Sequence, residues 1–218
     1  MRKIRVIIFD MDGVLVDTKK IWSSIDKEFL KRKGIIYKDE YKLQVKGKDQ
    51  REVVKLYKNI FKLKGKLNSL IKERNKIAYI QYKNKSRLTS STCQTIKNLF
   101  RSGFKLVLAS NAPMKLINII LQKFHLKKYF SLKISAQSFK RGKPAPDIYL
   151  AVAKQLRISP RNCLVIEDTF NGIKAAKRAG MYCIGILDTK YTKKEDLLKA
   201  DLLVKSLKEI TPEMIKRF

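Results

Sequence analysis

Histidine is nearly absent from this chain: His125, in KFHLKKYF, stands alone. That excludes metal cages built on histidine and argues against Ser–His chemistry. Any catalysis must rest on carboxylates, lysine and hydroxyls. Cysteine is equally sparse. Cys93, Cys163 and Cys183 are odd in number and far apart, and no two have the spacing of a zinc or redox motif. They are expected to be buried free thiols. No apolar run approaches the ~20 residues that a membrane span requires. The first one stops at Asp10, too short for a signal peptide and without a small-residue cleavage site. It is read as a buried strand, and a cytoplasmic location is expected. Acidic residues are also few: 19 face 50 basic ones, giving a net charge of +31. Such an excess raises the question of a nucleic-acid or other polyanionic partner. The lysines, however, are spread along the whole chain, which fits compositional drift better than a selected binding face. Either way, the field draws anionic substrates inward.

What is present has the pattern of an α/β protein. Residues 4–9, IRVIIF, form a β-branched run ending at Asp10, followed by the Asp-Gly turn signal of MDGVLVDT. From Thr18 to about Arg87 the apolar residues recur at helical spacing, as in Ile21, Trp22, Ile25, Phe29 and again Val53, Val54, Leu56, Tyr57, Ile60. Gly34 and Gly47 interrupt this stretch, and Ser69–Lys85 reads as one more long helix. Beyond Ser90, helices and strands alternate. Strands are expected at 104–109, 132–135, 163–166, 182–186 and 201–204, with helices at 94–101, 113–124, 146–156 and 173–179. That alternation implies a Rossmann-like parallel sheet with helices on both faces. The expected organisation is an α/β core of residues 1–17 and 88–218 with an inserted helical cap, 18–87.

Ligands of such sheets bind at the carboxyl ends of the strands. Three expected strand ends carry polar groups: Asp10-Met-Asp12, Ser110-Asn111 and Glu167-Asp168. Side chains two apart on a strand share a side, so one of Asp10 and Asp12 can attack while the other handles a proton. Taken alone, the pair reads equally well as a solvated Asp-Gly turn. Clustered carboxylates repel unless a cation lies among them, and oxygen ligands without His or Cys suit Mg²⁺. Ser110-Asn111 precedes a helix, where free backbone N–H groups can hold an anion, although the same residues make an ordinary cap. Lys143, in RGKPAPDIY, sits in a proline-bounded loop that could aim its ammonium at a phosphate.

Together the motifs resemble the haloacid dehalogenase-like superfamily. VIIFDMDGVLVDT is similar to its first motif, LVLASN to its second, KRGKPAPDIY to its third, and CLVIEDTFNGIKAAKRAGM to its fourth. All four occur in order and span Arg2 to about Gly185. The helical insert is similar to the cap of the subgroup holding phosphoglycolate phosphatases, hexose and hexitol phosphatases and β-phosphoglucomutases. The resemblance implies a Mg²⁺-dependent phosphatase acting on a small phosphate monoester, a sugar or polyol phosphate. Asp10 would become phosphorylated, and Asp12 would act as general acid and base. It also implies Mg²⁺ on the Asp10 carboxylate, the Asp12 carbonyl and Asp168, with Glu167 binding directly or through water. Ser110, the Asn111 amide and Lys143 would hold the phosphate, with Asp17, Thr18, Thr169 and Asn171 in support. The superfamily's carbon–halogen hydrolases lack an acid at the position of Asp12, so its presence favours phosphate chemistry.

Specificity is expected from the cap, through Trp22 on its first helix and Arg51, although a packing role for Trp22 and a solvated position for Arg51 compete. The segment from Gly47 to Tyr57 resembles that of sugar and hexitol phosphatases. The alternative is β-phosphoglucomutase-like phosphoryl transfer. That family has a histidine where Trp22 stands, which weakens this reading. A polyanion-binding protein without enzymatic activity is a third reading, and it would leave the motif acids idle. The expected partner is a small-molecule phosphate ester, without membrane or nucleic acid, bound by a monomer or weak dimer.

Overall fold

The computed structural model describes residues 3–45, 48–187 and 199–218. The central strand, β1 (Val6–Phe9), is buried on both faces, as a wholly apolar run in a parallel sheet must be. β4 (Lys105–Ser110) and β6 (Cys163–Glu167) flank it in parallel, with Phe9 opposite both Leu108 and Ile166. β5 (Phe130–Ser135) lies beyond β4, while β7 (Tyr182–Ile186) and β8 (Leu202–Val204) extend the other edge, all parallel. Alternation along the strands divides their side chains between two apolar layers. Ile7, Phe9, Leu106 and Leu108 meet α5 (Thr92–Arg101) and α6 (Met114–Lys123). Val6, Ile8, Val107 and Ala109 meet α7 (Asp147–Leu156) and α8 (Phe170–Arg178). The register brings the carboxyl ends of β4, β1 and β6 together, and the Asp10 N–H donates to the Ile166 carbonyl at 3.0 Å.

The helical insert hangs from a two-stranded antiparallel ribbon, β2 (Val16–Asp17) with β3 (Arg87–Leu88). Between these strands lie α1 (Lys19–Lys31), α2 (Glu40–Val45), α3 (Gln50–Ile60) and α4 (Leu67–Lys85). α4 is the hub, in contact with α1, α3 and core helix α6. Phe29, Val54, Tyr57, Ile77 and Tyr82 are buried there. The α4–α6 seam is pinned by Lys123, whose Nζ donates to the Lys83 and Ser86 carbonyls at 2.9 Å each. These carbonyls end α4, where a cation complements the helix dipole.

The expected elements appear with small shifts, and some were not expected. The ribbon strands are two residues each, too short to show a period. α2 falls between Gly34 and Gly47 in the stretch read as helical, without bounds of its own in the sequence reading. α8 begins at Phe170 rather than Ile173, because the Thr169 hydroxyl accepts the Gly172 N–H and caps it there. Cys163 and Cys183 are buried thiols, but Cys93 is exposed on the outer face of α5, correcting that expectation. Gly47 lies outside the described residues. No helix of the described residues is long and apolar enough to cross a membrane.

Candidate active site

Asp10 directly follows β1 and is 7% exposed. Lys143 reaches it from the loop before α7, with Nζ 2.5 Å from Asp10 Oδ1 and 2.6 Å from Glu167 Oε1. The ammonium also donates to the Ala109 carbonyl at 3.1 Å and lies 5.0 Å from the centre of the Tyr149 ring. The lysine backbone is held as well, its N–H donating to Asn111 Oδ1 at 3.3 Å. Gly142 makes room for that Asn111 side chain, since a Cβ there would crowd its oxygen. Burial by itself lowers the pKa of Lys143. The charges of Asp10 and Glu167 outweigh it and carry the pKa well above the ordinary lysine value.

Asp12 stands in different surroundings. Its Oδ1 accepts the Tyr82 hydroxyl proton at 2.5 Å, with Thr18 and Trp22 as further hydrogen-bonding neighbours. Burial raises its pKa to about 6 against the pull of these bonds. Asp10 is raised to about 7, by burial first, with Lys143 pulling down and Glu167 and Asp12 pushing up. Burial and the charges of Glu167, Asp10 and Asp12 hold Asp168 well above the usual carboxylate range. The Asp168 carboxylate fills the space above Gly13, whose φ of +84° suits glycine and where any Cβ would collide with it.

Crowded, desolvated carboxylates of this kind are what a hard divalent cation offsets. Asp10, Asp168 and the Asp12 carbonyl could supply its oxygen ligands. Among the described residues no three His, Cys, Asp or Glu side chains form a ready-made cage. A cation held here would take its other ligands from water and substrate oxygens.

Glu167, expected at the metal directly or through water, is held by protein groups on both oxygens. Its Oε1 accepts from Lys143 and, at 3.2 Å, from Tyr149. Its Oε2 accepts the Asp168 N–H, the Thr169 N–H and the Thr169 hydroxyl, at 3.0 to 3.1 Å. A carboxylate offers about four lone-pair sites, so Glu167 is spent on seating Lys143 and the β6–α8 turn. Gly172 permits this approach, since a Cβ would overlap the carboxylate. Ser110 is buried and its Oγ accepts the Ala112 N–H at 3.1 Å. Ser110-Asn111 is not the cap of α6, which starts at Met114 after Pro113.

Asp10, Asp12, Thr18, Trp22, Ser110, Asn111, Lys143, Glu167, Asp168, Thr169 and Asn171 all line one cavity of about 260 Å³ between the strand ends and the helical insert. Two expected site residues do not. Arg51 is exposed, with Nη1 3.5 Å from Asn68 Oδ1. It is Gln50, one residue earlier, that faces the cavity. Asp17 is exposed on β2, opposite Arg87 in the ribbon. Tyr82, Tyr149 and Gln50 were missed by sequence reasoning. Each sits in an ordinary helical pattern that marks it as packing.

Residues 4–180 match the model of the haloacid dehalogenase-like hydrolase family. A phosphorylated carbohydrates phosphatase of Thermotoga maritima is 29% identical over 80% of this chain and 81% of its own. Hexitol phosphatase B of Escherichia coli strain K12 is 27% identical over 96% of each. The crystal structure of a β-phosphoglucomutase from Clostridium difficile superposes with a TM-score of 0.83 at 25% identity, over 98% of this chain and 96% of that one.

Proposed function

The chain belongs to the haloacid dehalogenase-like hydrolases, and from that premise we propose that it is a Mg²⁺-dependent phosphatase. Its substrate is a small phosphate monoester of the sugar or polyol kind, and the reaction passes through an aspartyl phosphate on Asp10. Residues 18–87 act as a cap over the core, 1–17 with 88–218, and the substrate lies between them. One observation supports this reading above others: two carboxylates two residues apart have opposite kinds of partner. Asp10 faces the Lys143 ammonium and Asp12 faces the Tyr82 hydroxyl, both on one cavity.

Asp10 attacks phosphorus, and the ester oxygen leaves with a proton from Asp12. Asp12 then takes a proton from the water that cleaves the aspartyl phosphate. The Lys143 ammonium, the Ser110 hydroxyl and the Asn111 N–H hold the phosphate oxygens as negative charge shifts among them. Asp10, Asp168 and the Asp12 carbonyl would hold Mg²⁺, which when bound would offset the repulsion between nucleophile and phosphate. Phosphoglucomutase-like transfer is the less favoured reading, because Asp12 is held by Tyr82, Thr18 and Trp22, with no histidine beside it.

Phosphate release measured over sugar, polyol and nucleotide monophosphates, with and without Mg²⁺, tests the proposal. Asp10→Asn is expected to abolish turnover with its circular dichroism unchanged. Phosphate trapped covalently on that variant, or activity surviving chelation, would refute it.

A further inference from the structure

The wall of the cavity opposite the strand ends is built from α1, α3 and α4. Trp22, Asp26, Gln50, Val53 and Arg74 line it. Two of these residues are unusual as packing. Gln50 is only 6% exposed, yet neither the oxygen nor the nitrogen of its amide has a hydrogen-bond partner. Buried side-chain amides are satisfied in the large majority of cases, and an exception calls for a reason. Arg74 is 2% exposed. Its Nε and Nη2 lie 2.9 and 2.8 Å from Asp26 Oδ1, and its guanidinium sits 5.1 Å from the Trp22 ring centre, while Nη1 has no partner.

The position of Gln50 is set locally. Asp49 and Glu52 form a reciprocal capping box, at 2.8 and 2.9 Å, which anchors the first turn of α3. Gln50 opens that turn, and Val53, three residues on, lines the same cavity. The capping box therefore fixes the backbone from which the unsatisfied amide faces the cavity.

We propose that this wall is a subsite for neutral hydroxyl groups of the substrate, with Gln50 and Arg74 Nη1 as its hydrogen-bonding groups, and that it disfavours a second anion. The inference rests on the phosphatase reading and adds the chemistry of the leaving group. A primary amide presents donor and acceptor together, as a hydroxyl does. Asp26 already matches the charge of Arg74, so among the described residues no buried unmatched cation stands on this wall. Lys48 also lines the cavity but is exposed, where water and salt weaken its pull. A second phosphate or a carboxylate would meet Asp26 without a free counter-charge. The substrates that fit are monophosphates of polyols or sugars, rather than bisphosphates or phosphocarboxylates.

The full chain with Mg²⁺ is assayed on sorbitol 6-phosphate, hexyl phosphate, fructose 6-phosphate, fructose 1,6-bisphosphate and p-nitrophenyl phosphate. Sorbitol 6-phosphate is expected to exceed hexyl phosphate in kcat/KM by about 100-fold or more, since a site built for hydroxyls rejects analogues lacking them. Fructose 6-phosphate should exceed the bisphosphate. In Gln50→Leu the ratio of sorbitol 6-phosphate to p-nitrophenyl phosphate should fall by about 10-fold or more. Equal use of the hexyl and sorbitol esters, a preference for the bisphosphate, or an unchanged ratio in the variant would overturn the subsite. If the variant fails to melt cooperatively, the wild-type comparison decides alone. If no ester is hydrolysed, the phosphatase reading fails, and calorimetry still tests the subsite. Tighter binding of sorbitol 6-phosphate than of hexyl phosphate supports it, and equal binding overturns it.

Discussion

Tyr82, near the end of α4, donates its hydroxyl proton to Asp12 Oδ1 at 2.5 Å, across 70 residues of sequence. A side chain of the helical insert thus holds an acid of the core. The contact is buttressed, because Trp22 meets Tyr82 edge to face with ring centroids 5.5 Å apart. In Tyr82→Phe the bond is lost, Asp12 is less well oriented, and its pKa rises further above about 6. Turnover of esters with poor leaving groups should drop roughly 10- to 100-fold, within the range that general acid catalysis supplies. Activated esters need little protonation and should lose less. A leaving-group series on both proteins checks this, and equal losses across the series would count against it.

Trp22 itself both lines the cavity and packs between Tyr82 and Arg74. The two expectations for this residue are therefore not exclusive. Trp22→Ala should cost about 2 kcal/mol, below the ~3–5 kcal/mol of a fully buried tryptophan, because the ring is only partly buried. It should also lower kcat/KM for sugar phosphates more than for p-nitrophenyl phosphate. Urea titration beside kinetics on both esters separates the two effects.

Glu167 and Asp168 are adjacent acids with different neighbours, and their amides should behave differently. Glu167→Gln weakens the seat of Lys143, which keeps Asp10 as its other partner, and should destabilise the fold by about 1–3 kcal/mol, the cost of leaving buried groups imperfectly hydrogen-bonded. Its Mg²⁺ requirement should stay within a few-fold of wild type. Asp168→Asn should raise the Mg²⁺ concentration needed for half-maximal activity by about 10-fold or more, with a smaller change in melting temperature. Metal titrations and melts of the two variants test the assignment, and a large metal defect in Glu167→Gln would reverse it.

The carboxylate cluster also predicts how stability depends on pH. Asp10 and Asp12 have folded-state pKa values of about 7 and about 6, and Asp168 is raised in the same direction. In the unfolded chain an aspartate titrates near ~3.9. Between these limits the folded metal-free chain keeps protons that the unfolded chain has released. The contribution is therefore full below about pH 4 and is lost as pH rises through 6 to 7. Metal-free protein should melt at progressively lower temperature across this window. Added Mg²⁺ should raise the melting temperature most at its upper end, where the carboxylates are ionised. Calorimetry from pH 4.5 to 8, with and without Mg²⁺, checks both trends. A metal-free melting temperature that rises from pH 5 to 7 would contradict the burial of these acids.

Much of the core was legible in the sequence because its signals are local. An apolar run ending in Asp10, one ending in Ser110 and one ending in Glu167-Asp168 each announce a strand and the polar group at its end. The alternation of strands and helices then requires a parallel sheet, and such a sheet collects its carboxyl ends on one edge. What lay beyond reach depends on how helices dock. Successive helical residues are turned about 100° from each other, so whether Gln50 or Arg51 meets the cavity is decided by how α3 sits on α4. Tyr82 follows the same periodicity as its packing neighbours, and only the docking of α4 brings its hydroxyl to Asp12. Which lone pairs of Glu167 are spent was likewise decided in three dimensions, by Lys143 and Tyr149 arriving from a different loop and helix. The sequence determined which chemical groups stand at the strand ends, because strand and turn signals act within a few residues. Tertiary structure alone decided their partners, because each partner comes from an element whose own pattern reports only that it is buried.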